Sequence, residues 1–301
     1  MLWKLQPIQI PPEVIFYIGP LPVTNALLGT WISIFFLLLF FILGTRRRDL
    51  IPSGMQNAVE WIIEYLLNLT ESVAGKVKAR KFFPLVATFF IFILFCNLLD
   101  IFPGVDTIGT VNLEAVRLSH LRPPTTIFLL GEYSDKLTPW VRPGTSDLNL
   151  TLALALVSVI VTQVFGFMAL GPKQQLGKYF NFKALRHGFQ GPIEFFVGLI
   201  ELVTEISRIL SFSFRLFGNI FAGSAVLAVF AWLLPFVSDA IFIPLEIFVG
   251  FVQALIFALL TLVFLEIGTT SHEVEEDEMT EKEALEKYRE TEAEKETVAA
   301  R

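Results

Sequence analysis

Cysteine is nearly absent: Cys96 is the single one among 301 residues. One thiol makes no internal disulfide and no multi-cysteine zinc site. Histidine is scarce and scattered, at His120, His187 and His272, so a histidine-built metal centre is not expected. No G-x-x-x-x-G-K-[ST] loop occurs, and with it goes the usual phosphate cradle of a nucleotide site. No cofactor is expected. The opening residues, MLWKLQPIQIPPEVIFY, lack a basic start leading into an apolar run and a small-residue cleavage site; no cleaved leader is expected. Internal repeats are also missing, although a self-contained transporter often carries them. Basic charge is not in excess either. The net charge of −6 resides in the tail, where residues 273–301 hold 12 acidic and 5 basic side chains. The remaining chain keeps 18 basic and 17 acidic residues, which offers no basic surface to nucleic acid.

What is abundant is apolar. The hydrophobic fraction is 54%, with 31 Phe and a mean hydropathy of +0.63, above the roughly 45–50% of soluble domains. Runs of about 20 apolar residues mark membrane spans. They predict an all-α membrane protein of about five crossing helices, an interfacial amphipathic helix, and a long, strongly tilted helix hairpin in the C-terminal half. The expected order is an outside segment (1–23), a first span (24–44), an inner-surface amphipathic helix (45–82) and a second span (83–102). An outside loop (103–146), a third span (147–171) and an inside loop (172–191) follow. A long tilted helix (192–233), a final helix (239–267) and an acidic inside tail (268–301) complete the chain. Lys and Arg set the orientation: one in the N-terminal segment, seven in 45–81, four in 172–191 and four spread over 103–146. The N-terminus is therefore expected outside and the tail inside. In 53–80, Asn57, Glu60, Glu64, Asn68 and Glu71 alternate with apolar residues at helical spacing, too polar to span. TTIFLLGEYSDKL within the long loop is a candidate hairpin.

The 192–233 stretch has no internal proline after Pro192. As one helix it measures about 63 Å against a hydrocarbon core of about 30 Å. It must tilt, run partly along the membrane, or break near Gly198, Gly218 or Gly223. Glu194, Glu201, Glu205, Arg208, Arg215 and Asn219 share less than a third of its circumference, with Phe212 among them. Intramembrane charges are costly and mark functional sites by default. Glu205 and Glu201 can also simply neutralise Arg208, at three and seven residues' separation. Arg215 has no acidic neighbour within two turns on its own helix. In the final helix Glu246 and Gln253 are seven apart and share a face. An acid there needs a hydrogen-bonding partner or a proton.

At SFSFRLFGNIFAG (211–223) the sequence closely resembles subunit a of the F-type ATP synthase family, through Arg215, Leu216, Phe217, Gly218, Asn219, Ala222 and Gly223. NLLDIFPG (97–104), SDLNLTLALAL (146–156) and VQALIF (252–257) extend the resemblance over most of the chain. It implies a non-catalytic, proton-translocating stator subunit of the membrane Fo sector, working against a ring of c subunits. The peripheral stalk subunit b and the lipid bilayer are further partners, and this chain binds no nucleotide. Two offset half-channels load and unload the ring carboxylates, and Arg215 separates them. Asn219 and Gln253 resemble polar residues near that arginine. Asp147 resembles the acid where protons come in, at the outer end of the third span, and Glu201 an acid on the exit side. The best-known bacterial pattern has Glu just after A-G, where Ser224 stands here, and His where Glu246 stands. The resemblance therefore makes Glu246 the main outer-channel carboxyl and Ser224 an auxiliary. A multi-pass place in a bacterial cytoplasmic membrane is expected. The competing readings are a self-contained channel or secondary transporter using Glu201, Arg215 and Glu246, and a structural scaffold. A scaffold has no use for Arg215 on a polar stripe.

Overall fold

The computed structural model describes residues 11–46, 49–102, 105, 108–111, 137–172, 175, 177, 191–233 and 237–270. The acidic tail beyond 270, most of the 103–136 loop with the TTIFLL segment, and most of the 172–191 loop lie outside the described residues. Five helices account for most of the rest: α1 (Asn25–Thr45), α2 (Met55–Asp100), α3 (Leu148–Leu170), α4 (Gly191–Leu233) and α5 (Val237–Thr269). Each is long and apolar enough to cross a membrane. Among the described residues the exceptions to helix and loop are two antiparallel pairs and a short 3-10 turn at Gly144–Ser146. The pairs are β1 (Val14–Ile18) with β2 (Leu21–Thr24), and β3 (Gly109–Val111) with β4 (Leu137–Pro139).

Sequence chemistry explains the helix ends. Thr24 caps α1, its hydroxyl accepting from the Leu27 amide. Asp147 caps α3: its Oδ1 accepts from the Asn149 amide at 2.9 Å and its carbonyl from the Thr151 amide. The second helix is one run of 46 residues with a break at Gly75 (φ 69°, ψ 161°), a conformation that favours glycine. The charged 55–74 half is thereby set apart from the apolar half that follows. In α4, 35 residues from Phe196 to Phe230 form the apolar part. At about 52 Å they fit a core of about 30 Å only when steeply inclined.

The chain divides into two compact units, 1–159 with 204–262, and 160–203 with 263–301. In the first, Phe40 of α1 meets Phe95 of α2, and Phe89 and Phe90 of α2 meet Phe257 and Phe251 of α5. Phe212 of α4 also packs on Phe257, the rings tilted at 51°. Buried polar contacts run between these rings. The Asn97 amide donates to the Gly250 carbonyl of α5 at 3.0 Å and accepts from Thr145 Oγ1 at 3.1 Å. Thr151 and Ser213 share a hydrogen bond between α3 and α4, and Ser158 and Thr261 one between α3 and α5. Lipid removes the hydrophobic drive between helices, leaving close packing and such bonds to hold them. In the second unit, glycines do the same work. A side chain at Gly166 would stand 3.0 Å from the Gly268 carbonyl, and Gly268 packs on Thr162. Gln175 Nε2 donates to Gln163 Oε1 at 2.9 Å.

Because Cys96 is fully buried beside Asn97, a thiol-reactive fluorogenic dye reads unfolding directly. Asn97→Ala strands Thr145 and frees the Gly250 carbonyl, and should cost about 1–2 kcal/mol. The check is a lower temperature of dye reaction at Cys96 than in the parent chain.

Candidate functional site

The first unit holds a cleft of about 220 Å³ between the end of α2, the middle of α4 and the first half of α5. Its polar lining is Asn97 and Asp100 from α2, Asn219 from α4, and Glu246 from α5. Ile220, Val226, Phe242, Leu245 and Val249 make up most of the wall. These four polar side chains share a cleft whose wall is otherwise apolar. Intramembrane polar groups of this kind face a cavity rather than lipid.

Glu246 is half-buried and leans against the α4 backbone. A Cβ placed on Gly223 would come 3.0 Å from Glu246 Oε1, tighter than ordinary van der Waals contact. A side chain at 223 would oblige the carboxyl to give way by a few tenths of an ångström. On the other wall, Asn97 Cβ would stand 3.1 Å from a Cβ at Gly250, one helical turn beyond Glu246. The turn of α5 that carries the acid is therefore held from both sides.

The α4–α5 register fixes heights. Gly223 faces Glu246, and Phe212 faces Phe257. Eleven residues back along α4 match eleven forward along α5, so the two helices run antiparallel without slip. Gln253 then lies level with Leu216, beside Arg215. Asn219 sits about 6 Å and Gly223 about 12 Å along α4 from Arg215.

The structure thus brings Asn219 and Glu246 into one cleft and leaves the other sequence-derived candidates outside it. Arg215 is exposed, and among the described residues it makes no hydrogen bond or ion pair. Its helix turns Phe212, Ser213, Leu216 and Ile220 inward, and Arg215 lies off that buried face. Gln253 is buried, and among the described residues its Nε2 has no hydrogen-bond partner. The Ser224 hydroxyl bonds back to the Ile220 carbonyl at 2.9 Å. Asp147 is occupied in capping α3. Glu201 is half-buried and belongs to the second unit. Arg208 takes the neutralising alternative with Glu205, its Nη1 reaching both carboxylate oxygens at 3.0 and 3.1 Å. Among the described residues no cluster of His, Cys, Asp or Glu is arranged for a metal ion.

Asp100 is the residue that sequence reasoning passed over. NLLDIFPG carried the resemblance, yet its acid was not assigned a role. The available signal was an aspartate one turn beyond an asparagine at the end of an apolar run.

A family model for the ATP synthase A chain matches residues 27–266. A protein of Moorella thermoacetica named ATP synthase subunit a is 31% identical over 258 residues, covering 85% of this chain and 96% of that one. One of the same name from Campylobacter jejuni is 33% identical over 235 residues, covering 77% and 84%. Another from Gloeobacter violaceus is 28% identical over 267 residues, covering 88% and 92%.

The cleft generates a steric test. In a Cys96→Ser background, Asn219→Cys should react with a small water-soluble thiosulfonate. Adding Gly223→Val should push Glu246 into the opening and slow that reaction several-fold, whereas Gly223→Ala should slow it less.

Proposed function

The chain belongs to the ATP synthase A chain family, and on that premise we propose that it translocates protons as the non-catalytic stator subunit of an Fo sector. On this reading it forms two offset half-channels against a ring of c subunits, with Arg215 as the barrier between them. The observation that carries the reading is the exposed Arg215 in the apolar stretch of α4. A guanidinium stays protonated at any reachable pH, and lipid is a costly neighbour for it. An outward-facing cation at this depth calls for an anionic partner supplied by another chain, and a passing ring carboxylate is such a partner. Arginine attracts it, keeps it ionised, and does not relay a proton itself. Buried lysine loses its proton more readily and would open a short circuit.

The cleft supplies the loading side. Glu246 and Asp100 are the carboxyls that pass protons through it, and Asn219 bridges the approximately 12 Å between Glu246 and Arg215. Gln253, level with Arg215, orients the guanidinium or holds water beside it. Ser224 contributes from the rim through its backbone-bonded hydroxyl. Asp147 feeds the outer end of the path, and Glu201 belongs to the exit side. The Lys and Arg distribution orients the N-terminus outside and the C-terminus in the cytoplasm of a bacterial cell. Subunit b of the peripheral stalk holds the chain against the turning ring.

ATP-driven proton pumping in membranes carrying the whole complex tests this. Arg215→Ala should abolish pumping while immunoblots show normal assembly, and Arg215→Lys should not restore it. Glu246→Gln should slow pumping several-fold, with Glu246→Asp closer to the parent. Full pumping by Arg215→Ala would remove the arginine from the ion path.

A further inference from the structure

No charged residue lies between Glu13 and Arg46. That stretch holds both the β1–β2 hairpin and α1. The hairpin is built firmly at its base. The Asn25 amide donates to the Glu13 carbonyl at 3.0 Å, and Asn25 Oδ1 accepts from the Glu13 amide at 3.2 Å. The Asn25 carbonyl accepts from the Arg142 amide at 3.4 Å, and a Cβ at Gly29 would collide with the Arg142 carbonyl. Asn25 and Ala26 are buried. The tip is the opposite. Gly19 turns the chain at φ +62°, and Tyr17, Ile18 and Leu21 are 69, 55 and 68% exposed.

We infer that this hairpin is an interfacial lipid anchor, lying in the headgroup and acyl boundary of the leaflet at the Asn25 end of α1. Four observations select lipid as the occupant. First, α1 is 21 residues long, about 31 Å, and matches a core of about 30 Å. Asn25 therefore stands at the boundary, and a strand of five residues reaches only about 17 Å from it. Second, both faces of β1 are apolar and exposed, Phe16 and Ile18 on one and Tyr17 on the other. A docked protein covers one face, whereas a lipid boundary surrounds both. Third, a two-stranded hairpin is marginal in water, and its exposed apolar tip gains from an apolar surrounding. Fourth, its open strand edges exclude the hydrocarbon core, where unpaired backbone groups are not tolerated. The boundary region satisfies these conditions together, and an aromatic residue such as Tyr17 is favoured there.

The test uses the full chain within its assembled complex, in phosphatidylcholine–phosphatidylglycerol vesicles. In a Cys96→Ser background, Ile18→Cys carries an environment-sensitive fluorophore, and Leu21→Cys replaces it if the first variant does not accumulate. Phe35→Cys, at an exposed position on α1, is the lipid-facing reference. The anchor requires strong quenching by lipids spin-labelled near the top of the acyl chain and weak quenching by aqueous iodide. Strong iodide quenching with none from the labelled lipid would place the tip in water and overturn the inference. Protection from both quenchers would mean that a protein covers the tip, which overturns it equally.

Discussion

Hydrocarbon gives a polar group no solvent to fall back on. That constraint governs where this chain puts its amides, hydroxyls and charges. Asn97 spends both ends of its amide in tying three segments together, and paired hydroxyls join α3 to α4 and to α5. Arg208 is matched with Glu205. Each arrangement satisfies a group that would otherwise be stranded. Against this background Arg215 and Gln253 stand apart. Among the described residues the exposed Arg215 guanidinium makes no hydrogen bond or ion pair, and the buried Gln253 Nε2 has no hydrogen-bond partner.

The same constraint shapes the cleft. Polar residues are gathered at one level of three helices and are nearly surrounded by Ile, Val, Leu and Phe. Such a lining keeps the polar groups off the lipid-facing surface while the helices around them stay compatible with lipid. Close packing at Gly223 and Gly250 keeps the acid-bearing turn of α5 from drifting along the cleft. Geometry near α4 thus depends on residues with no ionisable chemistry of their own.

The fold was highly legible in the sequence because lipid imposes simple rules. Twenty apolar residues make a span, and five helices of that kind stand in the structure. The stripe on α4 was legible too, since helical phase alone collects Glu205, Arg208, Arg215 and Asn219. What periodicity on single helices does not carry is which helices meet. Nothing in the α2 sequence by itself says that Asn97 and Asp100 face Glu246, and their place in the cleft depends on the α2–α5 contact. Asp147 adds a second case: the resemblance makes it a proton-entry acid, and nothing in helical phase alone says that it also caps α3. The β1–β2 hairpin escaped notice because its apolar residues simply merge with the run that follows.

The contact between Gly223 and Glu246 also couples two positions on different helices. A Cβ at 223 would stand 3.0 Å from Glu246 Oε1, so even a methyl group there obliges the carboxyl to give way by a few tenths of an ångström. The size of residue 223 and the seat of the acid on α5 are therefore one setting shared by two helices: what is altered at the first is felt at the second.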